Sequence, residues 1–522
     1  MAKRLEVTML TESLKANIVS LLREEARSLD RSPFIDLRLG ISQGKGASAE
    51  NMVLRGAGDD YGMSAGVRVI AESSGIHAPG YDGRPVGAEE FERLLEILKS
   101  MVKSAHERAL ANAREKAESR RLFPELTENL WDMNLSWPNW PKNPVTVPAE
   151  YAYDPTTFPL EKIKALVADT AASFKRFGRN FNYSFVGAST GVSREFYANS
   201  FGVSIEQNFA MSQAMVFAAA GDVQVYDVLG HQRGPEIFYE GIAEPYISFR
   251  PLLDFAGGVA EDVKALKSAP VCPTTEKEVT VVTDPHYNTL LVHEIVGHPT
   301  ELDRGLKMET AYAGRTWLLK DLDETMLGKE IGSPILNAYS DPMLPGYGHY
   351  RYDHEGTPAR RVDHIVKGVF TGFMNSAQTS TIFGGEPNGH WKTTDPKLVP
   401  LIRMSNTVFG AGTDDPRQLI ADVDSGYYLE GHAIPSISES RENFRISARK
   451  VWRIENGELT TLYRKGGMSA DSRDYFMAID GMGTDFLLYP IPNCGKGQPV
   501  QVKKLGNGGP TIRSRARITG GA

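Results

Sequence analysis

Cysteine is scarce in this sequence, which has only Cys272 and Cys494 among its 522 residues. Two cysteines do not support a disulfide framework, so we expect a reducing compartment. Long apolar runs are also missing, because no stretch reaches about 18 apolar residues, the length of a membrane-spanning helix. The first residues lack the apolar segment of a secretion signal. Together these absences predict a cytoplasmic protein with no membrane role.

Charge of one sign is not concentrated anywhere along the chain. The 58 Lys and Arg residues are outnumbered by 65 Asp and Glu residues, which gives a net charge of −7. Without a basic block, the sequence gives no support for nucleic-acid binding. Hydrophobic residues make up 41% and charged residues 24%, the balance of a globular protein. The length predicts about two to four structural units.

Hydrophobic periodicity predicts a mixed α+β fold. Alternating residues indicate a strand near 35–41, and helical spacing indicates a long helix over roughly 88–121. The later part of the chain has β patterns, including hairpins with turns at Lys367-Gly368 and Asn456-Gly457. We predict three regions, which are an N-terminal α/β domain with the long helix (1–122), a Pro/Trp-rich crossing with a middle α+β domain (123–277), and a C-terminal β-rich domain (278–522). We expect the tryptophans of the crossing to pack against the body of the protein, namely Trp131, Trp137 and Trp140.

The stretch Leu290–Pro299 contains the strongest chemical signal. It reads H-E-x-x-x-H, with Glu294 directly after His293 and with His298 five residues after His293. Neutral imidazoles are ligands suited to zinc. A carboxylate beside such a site can take a proton from water and so generate a hydroxide nucleophile. The pattern therefore predicts a metal site, with two ordinary histidines on a core helix as the alternative.

The motif is one residue longer than the H-E-x-x-H of common zinc peptidases, and this has a structural consequence. On a regular helix, positions five apart lie about 140° apart, so His293 and His298 would not reach one metal ion. A one-residue π-bulge would bring them together. Gly297 and the proline after His298 stand where such a distortion is needed. At the other end, Asp284 and Pro285 indicate the N-cap and the first residue of the helix.

A catalytic zinc site usually has three protein ligands and one open position, and spacing alone leaves the third ligand open. Cys494 lies beside glycine in a loop that can carry a thiolate to a metal, although most free cysteines are small buried hydrophobes. The carboxylate alternatives are Glu301 and Asp303, just after the motif, and the cluster Asp353–Glu355. Cys272 lies between prolines with no ligand partner nearby, and we expect it to be structural.

Several ordered segments of this chain resemble the TldD/PmbA family of metallopeptidases. The motif at His293–His298 resembles the H-E-x-x-x-H of that family, and Asp353–Thr357 resembles its D-D-E-G-x segment with a histidine in place of one acidic residue. Arg403–Thr407 resembles its R-M-x-N-T stretch, and Asn493–Lys496 resembles its C-terminal cysteine loop. Looser matches upstream extend the resemblance over nearly the whole chain.

This resemblance implies a function and a set of site residues. One zinc ion per chain would be bound by His293, His298 and Cys494, and Glu294 would be the general base of a zinc-dependent peptidase for short or unfolded peptides. The C-terminal β-rich domain would carry the metal-binding helix. The resemblance also implies a dimer around an enclosed cavity, formed either with a second copy of the chain or with a related subunit. The intact motif is typical of the catalytic, TldD-type subunit.

Other interpretations and roles stay open. The alternatives to a peptidase are a metal-dependent hydrolase of non-peptide amides and a non-catalytic regulatory subunit of a TldD/PmbA-type complex. A β-rich domain near the site would favour extended peptides bound as an added strand. The donor that stabilises the oxyanion is also open, with four candidates, His390, His354, Arg403 and Tyr347. His354 lies either in the cavity or at the surface, and we expect the surface.

Overall fold

The structure is a computed structural model, and the residues that it describes are 4–30, 33–125, 132–133, 135, 137–177, 181–312 and 314–521. Trp131 lies outside the described residues. Helices and strands both contribute extensively, which confirms the predicted α+β class. Among the described residues, no helix is both long enough and apolar enough to cross a membrane.

The first half of the chain forms one large sheet covered by helices. Its strands are β1 (Phe34–Glu50), β2 (Val53–Ser73), β3 (Ile76–Pro85), β4 (Val145–Val147), β5 (Tyr183–Asn199), β6 (Ser204–Ala220) and β7 (Val223–His231), and a small hairpin follows with β8 (Ile242–Glu244) and β9 (Ile247–Phe249). Its helices are α1 (Glu12–Ser28), α2 (Leu94–Leu122), α3 (Leu160–Ser173), α4 (Glu236–Glu240) and α5 (Leu252–Ser268). The sheet order is β3-β2-β1-β5-β6-β4, with β7 also paired to β6.

The two faces of this sheet differ because side chains alternate along each strand. On β1, Leu37 and Leu39 lie in the apolar core that α1 and α2 cover. On the opposite face, the Nε of Arg38 donates to the carbonyl oxygen of His354 over 2.7 Å, so this face packs against the second half of the chain. The sheet joins strands from both sides of residue 122, and the division into three regions stays a prediction.

The second half of the chain contains two further large sheets and short helices. Its strands are β10 (Val279–Thr283), β11 (Ala338–Ser340), β12 (Val362–Val366), β13 (Val369–Phe370), β14 (Trp391–Lys392), β15 (Leu401–Ile402), β16 (Asn406–Phe409), β17 (Ser425–Ile437), β18 (Asn443–Glu455), β19 (Glu458–Tyr463), β20 (Gly466–Asp471), β21 (Gly481–Met482), β22 (Leu487–Lys496), β23 (Gln501–Gly509) and β24 (Ile512–Gly520). Its helices are α6 (Pro285–Val292), α7 (Leu302–Gly305), α8 (Ala377–Phe383), α9 (Pro416–Ala421) and α10 (Ser472–Met477).

One of these sheets closes on itself and positions α6. Strand β10 pairs in parallel with β17 and antiparallel with β24, so that β10, β17, β18, β20 and β24 form a ring. The other sheet has the order β13-β12-β11-β16-β23-β22. Because α6 follows β10 directly and packs against β17, β22 and β23, the motif lies between the two sheets. A single apolar core surrounds it.

Most local predictions agree with these elements. The hairpins β12–β13 and β18–β19 turn at Lys367-Gly368 and Asn456-Gly457, as predicted. The long helix α2 begins at Leu94, later than predicted, because residues 91–93 form a separate 3₁₀ turn. In the Trp/Pro-rich crossing, Trp137 and Trp140 pack against Phe34, with ring centroids 4.6 Å and 6.1 Å away.

Candidate metal centre

The helix that carries the motif starts and ends as the sequence predicts. The side chain of Asp284 accepts a backbone N–H as N-cap, and Pro285 is the first residue of α6. The helix then widens into a π segment over His293–Gly297 and tightens into a 3₁₀ turn over His298–Thr300. The widened turn shifts the second histidine round the helix axis. As a result, the two imidazole rings meet with their centroids 4.7 Å apart.

A steric constraint explains why the motif has glycine at position 297. A Cβ atom at Gly297 would lie 2.0 Å from the Sδ of Met404, far inside van der Waals contact. Met404 is itself fully buried, in the stretch that leads into β16. Glycine therefore allows the bulged turn to pack directly against this stretch.

Three side chains converge at the bulge. The ligand atoms of His293, His298 and Cys494 all lie within 4.8 Å of one another, and all three residues are buried. The Sγ of Cys494 is 3.6 Å from the Nε2 of His298. In a tetrahedral zinc site, with Zn–S of about 2.3 Å and Zn–N of about 2.05 Å, sulfur and nitrogen lie about 3.5 Å apart. The cluster therefore fits zinc in donor chemistry and in spacing.

Neighbouring side chains fix which nitrogen each imidazole presents. The Nδ1 of His298 lies 2.9 Å from a carboxylate oxygen of Glu301, and the Nδ1 of His293 lies 3.4 Å from Oδ1 of Asn507. Both acceptors favour the tautomer with the proton on Nδ1, which leaves Nε2 as the metal-facing lone pair. Glu301 also accepts a 2.8 Å bond from Nε of Arg304, so its orientation is fixed as well.

The Cys494 side chain is held as a thiolate by its surroundings. Burial alone would raise the pKa of this thiol, but the charges of His293, His298 and Arg403 outweigh burial and hold the pKa well below its usual value. The guanidinium of Arg403 also donates to the carbonyl oxygens of Cys494 and Gln501, over 2.6 Å and 3.0 Å. Arg403 thus joins β22 to β23 at the point where the cysteine enters the cluster.

Glu294 lies beside the cluster with its own charged partner. Its carboxylate accepts a short hydrogen bond from Arg441, and both side chains are buried. Burial alone would raise the pKa of Glu294, but Arg441 and the two histidines lower it below its usual value, so the carboxylate stays ionised. Sequence reasoning missed Arg441, because it lies 147 residues away on the loop before β18 and no motif marks it.

The other proposed third ligands have different partners. Glu301 contacts His298 through Nδ1, on the side of the ring away from the cluster. Asp303 pairs with Lys496 over 2.7 Å. Asp353 accepts two backbone N–H bonds within its own turn, and Glu355 pairs with Arg68 over 3.0 Å. None of these carboxylates belongs to the His/His/Cys cluster found among the described residues.

The expectation that His354 lies at the surface is wrong. Its side chain is 5% exposed, its Nδ1 accepts the backbone N–H of Thr393, and its Nε2 lies 2.9 Å from Glu195. Burial and the nearby ammonium of Lys392 lower its pKa to about 3, so it is a neutral donor to Glu195. Arg38 and Arg68 of the N-terminal sheet cover the loop that carries His354.

The remaining oxyanion candidates also have structural partners. The hydroxyl of Tyr347 donates to Gln213 over 2.7 Å. The Nη1 and Nη2 of Arg403 donate to backbone carbonyls, whereas its buried Nε has no hydrogen-bond partner among the described residues. His390 is fully buried beside Asn388, and burial lowers its pKa to about 3. The structure adds Arg441, a cation in direct contact with Glu294 that the sequence did not indicate.

Comparisons with known proteins find similarity in the half of the chain that contains this cluster. The description "PmbA/TldA metallopeptidase C-terminal domain" matches residues 276–520, the half of the chain that contains the motif, Arg441 and Cys494. A protein named metalloprotease from Methanothermobacter thermautotrophicus is 32% identical over 259 residues, which is 49% of this chain and 54% of that protein. A protein named zinc metalloprotease TldD homolog from Saccharolobus solfataricus is 30% identical over 247 residues, which is 47% of this chain and 52% of that protein.

A solved structure extends the similarity to the whole fold. TldE from Thermococcus kodakarensis superposes with a TM-score of 0.67 at 16% identity and covers 96% of this chain and 100% of its own. The chain spans about half the length of the curated relatives it matches. The C-terminal half of the chain is therefore similar to the TldD/PmbA family.

Proposed function

We propose that this chain is a zinc-dependent peptidase that hydrolyses short or unfolded peptides. The observation that carries the proposal is the convergence of His293, His298 and Cys494 with ionised Glu294 beside them. Two histidines and a thiolate favour zinc over harder metals, because the thiolate is a soft ligand. The matching relatives named metalloprotease support the same reaction class. We propose one zinc ion per chain in a cytoplasmic protein.

The positions of these side chains support a separate chemical role for each of them. Zinc bound in this cluster would supply a Lewis acid for the scissile carbonyl and for the attacking water. Glu294 takes the proton of that water and passes it to the leaving amine nitrogen. Arg441 keeps Glu294 ionised and oriented, because it donates directly to that carboxylate. The partners Glu301 and Asn507 hold the two imidazoles with Nε2 toward the metal position.

The preference for unfolded peptides has a separate basis. Strand β23 pairs with β22 along most of its length, but its described pairing with β16 covers only Gly506–Gly508. The first half of β23 thus has no strand partner on its other side among the described residues, and we propose that an extended peptide adds there as a strand. We also propose that the chain works as a dimer, either with a second copy or with a related subunit. The molar mass of the purified protein, alone and mixed with such a subunit, tests this assembly.

Glu294→Gln tests the catalytic role most directly. The substitution preserves shape and removes the base, so we expect the zinc content to stay at wild-type level while peptide cleavage falls by about 10²–10⁴-fold. The measurement is elemental analysis together with cleavage of an unstructured peptide on the same sample.

A matched control is Glu458→Gln on the exposed face of β19, which should change neither quantity. Full cleavage by Glu294→Gln would contradict the assigned base. Zinc binding by wild type without peptide turnover would instead favour a hydrolase of non-peptide amides or a regulatory subunit, and non-peptide amide substrates would separate those two.

A further inference from the structure

A cavity of about 450 Å³ lies between the polar face of the N-terminal sheet and the C-terminal half. The sheet contributes Gly40, Ser42 and Glu195 to its wall, and β23 contributes Lys503 and Lys504. Apolar side chains complete the wall, among them Met63, Phe209 and Met211. The cavity is therefore amphipathic, and its charges decide what it can hold.

Several charges on the wall already neutralise each other. Arg194 pairs with Glu206, with its Nε at 2.9 Å. Lys397 pairs with Asp395 over 2.8 Å. These pairs need no ligand.

The remaining cations of the wall outnumber the carboxylates that pair with them. Glu195 is the carboxylate that pairs with Lys392, over 2.9 Å. The same carboxylate also accepts the hydrogen bond from neutral His354. Lys503 and Lys504 are left without a carboxylate among the described residues. The wall thus has an excess of positive charge.

Lys503 gives the strongest indication that the cavity can bind an anion. Its side chain is more than nine-tenths buried, and none of the described residues forms an ion pair or hydrogen bond with its ammonium group. The ammonium lies 5.0 Å from the ring centroid of Tyr350, and that of Lys392 lies 4.8 Å from the same ring. An aromatic face compensates a buried cation only in part. Burial and the nearby cations Lys392 and Arg403 hold the pKa of Lys503 well below its usual value.

The cavity is also close to the candidate metal centre. Lys503 is directly opposite Cys494 in the antiparallel pair of β22 and β23. Directly opposed residues project to the same face of a sheet, with Cβ atoms about 4.5–5.5 Å apart. A group bound by Lys503 would therefore lie a short distance along an extended peptide from the cluster that contains Cys494.

We propose that this cavity is a substrate subsite that binds a carboxylate of the peptide, through the ammonium groups of Lys503 and Lys504 and beside the rings of Tyr350 and Tyr347. The Lys504 ammonium lies 5.6 Å from the Tyr347 ring centroid. The proposal rests on the peptidase function proposed above and adds a preference for acidic substrates. The carboxylate belongs either to the peptide C-terminus or to an aspartate or glutamate side chain.

Binding to uncleaving protein tests the subsite without turnover. In the Glu294→Gln background, calorimetry compares three versions of one unstructured peptide, with a free C-terminus, with an amidated C-terminus, and with an amidated C-terminus plus an internal glutamate. We expect Lys503→Met to weaken binding of a carboxylate peptide by about ten- to a hundredfold and to leave the neutral amide unchanged. If Lys503→Met weakens binding of the peptide with a free C-terminus, the bound group is the C-terminal carboxylate. If it weakens binding of the amidated peptide with the internal glutamate, the bound group is a side-chain carboxylate.

Two further variants test whether the loss of binding comes from the charge of Lys503. Lys503→Arg keeps the charge and should keep most of the carboxylate preference, which a purely structural role would not predict. Lys397→Met removes a lysine of the same wall that is already paired with Asp395, and it should bind all three peptides like the parent. Equal binding of free-acid and amidated peptides by the parent, with no change in Lys503→Met, would overturn the subsite.

Kinetics separate this proposal from the peptidase proposal. With Glu294 restored, Lys503→Met should raise the KM for the carboxylate peptide and leave kcat within about twofold, because the lysine binds substrate away from the reacting bond. Cleavage that ignores both the carboxylate and Lys503 would refute the subsite and keep the peptidase. Lys503-dependent binding of carboxylates without any cleavage by wild type would refute the peptidase and keep the anion site.

Discussion

The two cysteines of this chain make an informative pair. Cys272 is 3% exposed and Cys494 is 4% exposed, and both belong to the same apolar core. Each follows a proline by two residues, in Pro270-Val-Cys272 and Pro492-Asn-Cys494. Yet burial raises the pKa of the Cys272 thiol to about 12, whereas the pKa of Cys494 is held well below its usual value. The degree of burial is nearly the same, so burial alone does not explain the difference.

The difference comes from what other segments place beside each sulfur. The nearest polar partner of Cys272 is the carbonyl oxygen of Pro273, 3.5 Å from Sγ, which does not stabilise a thiolate. Cys494 faces two imidazoles from the bulged helix, and a guanidinium binds its own carbonyl group. A buried thiol thus becomes a metal ligand only when cations or a metal compensate its charge. The chain contains an environment of each kind within one core.

The largest expected effect is loss of metal from one cysteine variant and not from the other. Cys494→Ala removes a direct ligand, so we expect its zinc affinity to fall by more than about 100-fold, beyond the usual loss for an indirect partner. Cys272→Ala should bind zinc like wild type. Competition with a chelator of known affinity measures both. Retention of zinc by Cys494→Ala would show that the two cysteines do not differ as proposed.

High pH should affect stability through Cys272 in particular. The unfolded thiol loses its proton near pH 9, whereas the folded thiol keeps it up to about pH 12, so the unfolded state loses protons first and stability falls as pH rises between these values. At a pH of about 10.5 this amounts to about 2 kcal/mol. Urea unfolding at about pH 8 and pH 10.5 should show a smaller fall for Cys272→Ala than for wild type. An identical fall in both proteins would contradict the burial argument.

Local rules recovered much of the fold around the site. The five-residue spacing of His293 and His298 required a bulged turn, and the cap at Asp284 marked the start of the helix, because both depend on neighbours in the chain. The turns at Lys367-Gly368 and Asn456-Gly457 were predicted for the same reason. Such features follow from backbone sterics and side-chain period, which a single sequence contains.

Features that depend on distant segments were not predictable in this way. Cys494 lies 196 residues from His298, and only the family resemblance selected it over the carboxylates. Arg441 has no motif, and its role follows from a loop that folds over Glu294. We expected His354 at the surface, whereas Arg38 and other residues of the N-terminal sheet bury it. Pairing across the core, rather than local pattern, decides these positions.

A smaller effect should separate direct ligands from the groups that orient them. Glu301→Gln keeps a side-chain oxygen near Nδ1 of His298 but removes the charge, so we expect zinc affinity to fall by about tenfold, the lower end for such partners. Asp303→Asn is the matched control, because it removes a buried carboxylate that pairs with Lys496 but touches neither histidine. It should reduce thermal stability and leave zinc affinity unchanged. Equal loss of zinc by both variants would mean that general destabilisation lowers the zinc affinity. Glu301 would then have no orienting role of its own, and the contrast between Cys494 and Cys272 would rest on the direct ligands alone.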